Sequence, residues 1–468
     1  MKHQASAEHV QIGEKVVITI KKLGINGEGV GYYRRKAVFI EGALPGEVVH
    51  ATITAVEAKF LHASLLKIEK KSAARIKSPK CPLFVNEACG GCQLWHFDYK
   101  VQLAEKTEIV RESFRRYMNE QIPEIREMIG MEEPSRYRNK AQFQLGYDKH
   151  GRVIAGLYKR NSHELLDLSS GCLVQAEGIN HVLNQLTALI NELRIPVVRS
   201  SKSKVGLRSL VVREGFGGAL QVTLVSISDE IPQVDTLIRL LREHSTKIAT
   251  IAQNVNRSAS PLVFGEVTRI LWGAETMDMQ LGELTFKVSP RAFFQLNTAQ
   301  TIILYEAVRE AAKLTGKELV VDAYCGTGTI GLWLAKSAAA VRGVEMISEA
   351  VLDARSNAKR NGLHNATFFI GKTETVLPEW IREGIVPDVI VVDPPRTGCD
   401  ARLLEAIIQS KCERLVYVSC NPSTLAKDSA ILIKGGYKID YVQPIDMFPQ
   451  TSHVECVVRF VWKSSCLG

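Results

Sequence analysis

Over roughly the first seventy residues, apolar and polar positions alternate with the period of two that half-buried strands require. The runs VVITIKKL, AVFIEGAL, EVVHATITAV and HASLLKIEK are separated by the turn signals NGEG and PGE. They predict a small OB-like β-barrel over residues 8–68, with Gly, aromatic and Arg/Lys residues gathered on one hairpin, GINGEGVGYYRRKAVFI. A basic polar linker, KSAARIKSPK, leads into a cysteine-bearing stretch and a helix-like segment, FDYKVQLAEKTEIVRESFRRYM. Strand and helix patterns then mix without one clear period, which predicts a central α+β domain over residues 78–284. From residue 285 to 468 the pattern changes again. ELVVDAY reads as a short apolar strand, and CGTGTIGLWLAKSA as a Gly-rich turn opening a helix. VRGVEM reads as a second strand with SEAVLDARSNAKRNG as its helix, DVIVVDPP as a third strand, and LVYVSCNP as a fourth. GYKIDYVQPIDMF and HVECVVRFVWK predict a terminal hairpin. The whole reads as a multidomain α/β chain ending in a doubly wound, mostly parallel sheet, whose ligands belong beyond the carboxyl ends of its strands. There is no internal repeat and no low-complexity segment.

At 468 residues and 46% hydrophobic, the chain is long and apolar enough for several folded cores. Its net charge of +9 is unevenly placed: the first 80 residues carry 14 Lys and Arg against 7 Asp and Glu. A basic terminal module suits a polyanion, most simply nucleic acid. Without an apolar leader, or an apolar run able to span a bilayer, the sequence predicts a cytoplasmic protein with no membrane association.

In that reducing compartment the ten cysteines point to metal binding or catalysis before disulfides. Cys325, Cys399, Cys412, Cys456 and Cys466 read as small buried hydrophobes. Cys81, Cys89 and Cys92 stand close together in CPLFVNEACGGCQLW, with Cys172 far downstream in SSGCLV. Three thiolates plus a remote fourth fit ligation of a [4Fe–4S] cluster or of zinc, and spacing does not choose between them.

DAYCGTGTIG follows a strand and precedes a helix, the context that gives a Gly-rich turn meaning. Gly326 and Gly328 let the backbone approach a ligand, and Glu345, 19 residues after Gly326, is placed to accept hydrogen bonds from ribose hydroxyls. The turn lacks the third glycine of the dinucleotide fingerprint and looks more like D-x-x-x-G-x-G, the S-adenosylmethionine turn. Asp393 ends the third strand in DPPR, where Arg396 replaces the aromatic of amino-methyltransferases. Cys420 ends the next strand on the same rim, and Glu455 lies near the turn of the terminal hairpin. A thiol and a carboxylate beside a methyl donor fit methylation of uracil at carbon 5, which needs a nucleophile at carbon 6, a base for the carbon-5 proton, and donors for the enolate.

The stretches SPRAFFQLNTAQ, DAYCGTGTIGL, VVDPPRTG, LVYVSCNPSTLAKD and HVEC, in that order, make the chain resemble the RNA uracil-C5 methyltransferases. The barrel is similar to a TRAM domain, and YRNKAQFQLG, LYKRNSHELLDLSSGC and LRSLVVRE to that family's central domain. The resemblance implies Cys420 as nucleophile, Glu455 as base, and Gln295, Tyr324, Glu345 and Asp393 as S-adenosylmethionine contacts in a class I, Rossmann-like domain. It favours [4Fe–4S] over zinc at Cys81, Cys89, Cys92 and Cys172, although seven residues separate the first two cysteines where relatives have five. A cluster-bearing, TRAM-carrying member resembles the branch that modifies 23S ribosomal RNA. The expected partner is therefore a single-stranded loop or bulge of ribosomal RNA, and the expected state a monomer. Two rival readings are a cytosine-C5 RNA methyltransferase and a non-catalytic RNA-binding factor on a methylase scaffold.

Overall fold

The computed structural model describes residues 10–118, 122–200, 202–258 and 262–463, so Cys466 lies outside it. At the N-terminal end, six strands (Lys15–Thr19, Lys22–Leu23, Gly29–Tyr33, Lys36–Ile40, Val48–Val56 and Phe60–Lys70) form one sheet. Their alternation is the alternation of the sequence: KVVIT is buried at every second position, and Val16, Ile18, Val38, Ile40, Val49, Ile53 and Leu61 fill one core. The linker is stapled to this sheet by Arg75, whose guanidinium donates to both oxygens of the buried Glu47 at 2.6 and 2.8 Å.

The central sheet has seven strands in the spatial order Val267–Gly273, Ile248–Val255, Leu220–Ser226, Leu207–Glu214, Lys140–Tyr147, Val153–Tyr158 and Leu165–Asp167. Every pairing is antiparallel except that of Leu220–Ser226 with Ile248–Val255, which is joined through the helix Val234–His244. A second helix, Glu177–Glu192, buries Ile179, Val182, Leu183, Leu186, Leu189 and Ile190 against it, the three- and four-residue spacing of one helical face.

The C-terminal sheet carries the site. Its strands are β1 (Leu319–Ala323), β2 (Ala340–Glu345), β3 (Ala366–Ile370), β4 (Val389–Val392), β5 (Arg414–Ser419), β6 (Tyr437–Ile445) and β7 (Glu455–Trp462), in the spatial order β3-β2-β1-β4-β5-β7-β6. The first five are parallel, and β7 inserts antiparallel between β5 and β6. Sequence reading passes over β3 because only Phe368 of ATFFI is buried on this edge strand, too little pattern to register. It also passes over the helices Thr373–Arg382, which contains Pro378, and Ala401–Ser410.

Segments from earlier in the chain are built onto this sheet. The helix Tyr99–Met118 places Val110 and Phe114 in one core with Leu425 and Ala426, and its Lys106 donates to Asp446 at 2.7 Å with both side chains fully buried. Ile125 and Ile129 bridge to Val442 and Ile445 beside β6, and the hairpin Met277–Leu281/Leu284–Val288 shares the core of β1 and β4. Among the described residues, no helix is long and apolar enough to cross a membrane.

Candidate active site

β1 ends in a turn where Tyr324 holds φ 63°, a left-handed conformation costly for a non-glycine residue, followed by Gly326 at φ 52° and Gly328 at φ 79°. At Gly328 an added Cβ would stand 2.8 Å from the Phe368 ring, so glycine is demanded by space as well as by φ. The helix Thr329–Ala335 starts there, and its Gly331 amide donates to Asp322 at 2.7 Å. Burial pushes the Asp322 carboxyl up to about 7. Glu345, at the end of β2, is oriented by two backbone donors, Gly326 N at 3.2 Å and Ile347 N at 2.9 Å.

Asp322, Tyr324, Gly326 and Glu345 line a cleft of about 600 Å³ that also takes in Ser289, Gln295, Tyr305, Thr329, Asp353 and Asp393. A cavity of this size, apolar with a few aimed polar groups, suits a nucleoside-sized ligand. All four residues expected to contact the cofactor, Gln295, Tyr324, Glu345 and Asp393, share that lining. Sequence reasoning missed the floor beneath it, where the buried Tyr305 hydroxyl meets Thr329 Oγ1 at 2.6 Å. No motif signals that contact, because the two residues lie on different helices.

Cys420 follows β5 directly. Asn421 caps the next helix, Pro422–Lys434, by accepting from Ser423 N, and Pro422 is at its start, so the strand stops at the thiol. Asn421 Nδ2 and Thr424 Oγ1 both donate to the Arg396 carbonyl, tying the DPPR loop to the same lip. Pairing of β5 with β7 ends with Ser419 opposite Cys456, so Cys420 and Glu455 are the residues next to that last pair, near enough for the Glu455 carboxylate to act on the thiol.

Burial raises the Cys420 thiol to about 11, helped by the Glu455 and Asp393 carboxylates and opposed by Arg396. Burial also holds the Glu455 carboxyl well above its usual range, with Asp393 adding to the shift and Arg396 relieving it. Asp393 is raised by burial as well. The cleft edge therefore concentrates a thiol and two carboxyl groups, all raised by burial, pattern enough for a proton-handling site. Cys420 also lines a smaller cavity of about 140 Å³ with Arg396, His453 and, unexpectedly, Ile25 and Asn26 from the N-terminal barrel.

The four expected metal ligands also come together. Cys81, Cys89, Cys92 and Cys172 are all buried, all free, and ring a second cavity of about 370 Å³ with Arg138, Lys140 and Gln175. The long spacer between Cys81 and Cys89 is taken up by a one-turn helix, Pro82–Asn86, and a left-handed Ala88 at φ 52°. Cys172 is fixed by Asn180, which accepts from its amide and donates to its carbonyl. As free thiols the group is costly to ionise: burial pushes Cys92 up to about 12, and Cys89 and Cys172 are raised for the same reason. Among the described residues no three His, Cys, Asp or Glu side chains converge closely enough to hold a single metal ion. The four expected ligands thus share the lining of one cavity without the close grouping of a metal site.

Comparison with known proteins places the chain among RNA methyltransferases. Residues 383–463 match the tRNA (Uracil-5-)-methyltransferase family, residues 9–66 the TRAM domain, and residues 314–420 a methyltransferase domain. A Bacillus cereus protein named as an uncharacterized RNA methyltransferase is 48% identical over 97% of this chain and 98% of its own length. One of the same description from Halalkalibacterium halodurans is 48% identical over 99% of this chain and all of its own. Among solved structures, the Pyrococcus abyssi tRNA (uracil-54, C5)-methyltransferase in complex with S-adenosyl-L-homocysteine superposes with a TM-score of 0.74 at 28% identity, covering 95% of this chain and 99% of that one.

Proposed function

The chain belongs to the S-adenosylmethionine-dependent RNA uracil-5-methyltransferase family, and on that premise we propose that it methylates carbon 5 of a uridine in 23S ribosomal RNA through a covalent adduct on Cys420. The observation that supports the reading is the β5–β7 pairing that ends at Ser419 and Cys456, next to Cys420 and Glu455, with Asp393 of the cofactor cleft acting on both groups. In the free protein both groups favour their protonated forms. Asp393, with Gln295, Tyr324 and Glu345, would hold S-adenosylmethionine in the cleft, and the positive charge of that methyl donor would favour the thiolate and carboxylate forms of Cys420 and Glu455. The Cys420 thiolate adds to carbon 6 of the uracil, and the displaced electron pair makes an enolate nucleophilic at carbon 5. Carbon 5 takes the methyl group, and the methyl donor leaves as the neutral thioether. Glu455 removes the carbon-5 proton, the carbon 5–carbon 6 double bond re-forms, and the carbon–sulfur bond breaks to return the thiolate.

The barrel's cations would hold phosphates without reading sequence. The target uridine must leave its stack to reach the cleft, at a cost of about a few kcal/mol, which favours a loop or bulge. Cys81, Cys89, Cys92 and Cys172 would hold a [4Fe–4S] cluster, whose role there is to fix the cysteine loop against the central sheet.

A second substrate is favoured by one observation: the archaeal structure that superposes along almost the whole chain is a transfer-RNA enzyme. One experiment separates the readings. Purified protein is incubated with S-adenosylmethionine and either ribosomal RNA or tRNA from a strain lacking the enzyme, and the nucleosides are resolved by mass. 5-Methyluridine in 23S RNA supports the proposal, and in tRNA alone it moves the substrate. 5-Methylcytidine would replace uracil by cytosine chemistry, and no product from either RNA would leave a non-catalytic RNA-binding factor.

A further inference from the structure

Glu455 is the first residue of β7, and the segment that delivers it, Asp446 to Val454, is held in an unusual way. Five consecutive carbonyls in it accept hydrogen bonds from outside the hairpin. Asp446 O accepts from Gln300 Nε2 at 2.9 Å and Met447 O from Asn297 Nδ2 at 3.0 Å. Phe448 O accepts from Lys106 Nζ at 3.3 Å and Pro449 O from the Tyr137 hydroxyl at 2.9 Å. Gln450 O accepts from two successive amides, Gln93 at 3.1 Å and Leu94 at 2.9 Å, which follow Cys92 in the chain. Gln450 itself is buried and left-handed, at φ 68°. A non-glycine residue keeps such a conformation only where its surroundings over-determine it.

The device that over-determines it is Gln102. This side chain is fully buried in the helix Tyr99–Met118, and its amide nitrogen donates to Gln450 Oε1 at 3.1 Å, Leu94 O at 3.0 Å and Phe97 O at 2.8 Å. One amide thus grips both the strap and the peptide after the third cysteine. The barrel closes on the same point, since a Cβ on Gly27 would meet Gln93 Cβ at 2.9 Å and Ser452 Cβ at 3.5 Å. The donors come from the cofactor-side loop, the long helix, the central domain and the cysteine loop, and the strap they hold runs directly into the base.

Resting on the function proposed above, we propose that Gln102 and Tyr137 are positioning residues that lock the 446–454 strap, and through it set Glu455 against the carbon-5 proton of the adduct. The cysteine loop and the cofactor loop are then coupled to proton removal without either touching the base. Loosening the strap slows the step that Glu455 performs, while attack by Cys420, fixed separately by β5 and the Pro422 helix, continues. The signature is a shift in partition: more enzyme trapped as the RNA adduct.

The test compares the full-length wild type with Gln102→Met, which keeps length and removes all three donations, and with Tyr137→Phe, which removes one hydroxyl. Cofactor affinity, turnover and the fraction of enzyme running as an RNA adduct on a denaturing gel are measured for each. For Gln102→Met the expected result is cofactor affinity within about threefold of wild type, turnover lower by about tenfold to a hundredfold, and a larger adduct fraction, since sub-ångström misplacement of a catalytic group has effects of this order. Tyr137→Phe moves in the same direction by less. Turnover near wild type in both variants would overturn the proposal. So would turnover and adduct falling together, because that places the defect at folding or at thiol attack. Wild-type protein that methylates no uridine fails the proposed function instead, so the two failures are distinguishable.

Discussion

The raised thiol of Cys420 makes a measurable demand on its reactivity. A thiol moved from about 9 to about 11 is ionised at pH 8 to roughly a thousandth instead of roughly a tenth, about a hundredfold less thiolate. Each thiolate of higher basicity is also a better nucleophile, which returns about a factor of ten over two units. Cys420 in the free protein should therefore react with iodoacetamide at pH 8 about tenfold more slowly than an unperturbed exposed cysteine, and its rate should climb about tenfold per pH unit from 7 to 10 without levelling. Because the two carboxylates contribute to the shift, Glu455→Gln should move the profile to lower pH over the range where Glu455 is ionised. The assay is timed alkylation followed by peptide-resolved mass spectrometry, which isolates Cys420 from the buried thiols. A rate that levels off below pH 9, or a profile unchanged by Glu455→Gln, would refute the account of burial and like charge at this lip.

Other outcomes follow from the same geometry. Cys420→Ala should abolish methylation while leaving cofactor binding by calorimetry within about threefold, since the thiol lies outside the lining of the cofactor cleft; residual turnover near wild type would remove it from the mechanism. Glu455→Gln should instead accumulate a slow-migrating RNA adduct on a denaturing gel, because proton loss must precede release of the thiol. Lys106→Met leaves Asp446 charged and fully buried, and should cost about 3–5 kcal/mol in urea unfolding, with Lys106→Met/Asp446→Asn recovering much of the loss. Cys89→Ser should abolish the brown absorbance and the iron of anaerobically purified protein; zinc without iron in the wild type would reassign the centre.

The parts of the fold legible in the sequence are those encoded locally. Alternation marks the barrel strands because every second side chain is buried there. The strand–turn–helix of DAYCGTGTIG is legible because only glycine tolerates the φ and the space at Gly328. Asn421 and Pro422 mark the end of β5, and so the place of Cys420, by capping chemistry alone. The edge strand Ala366–Ile370 left no signal, since a strand with one buried side chain has no period to read.

What tertiary structure alone decided is proximity. The nearness of Cys420 to Glu455 depends on β7 inserting antiparallel between β5 and β6, a choice among pairings that neither strand's own sequence dictates. The gathering of Cys172 with three cysteines some eighty residues earlier depends on the packing of the central sheet and its helix. The barrel turn at Asn26 shares a cavity with Cys420, and Gln102 reaches the segment that leads into Glu455, across separations of hundreds of residues. Local sequence fixes φ, caps and burial period because these act over a few residues. Which surfaces then meet is set by the shared burial of whole faces, which no single stretch of the chain contains.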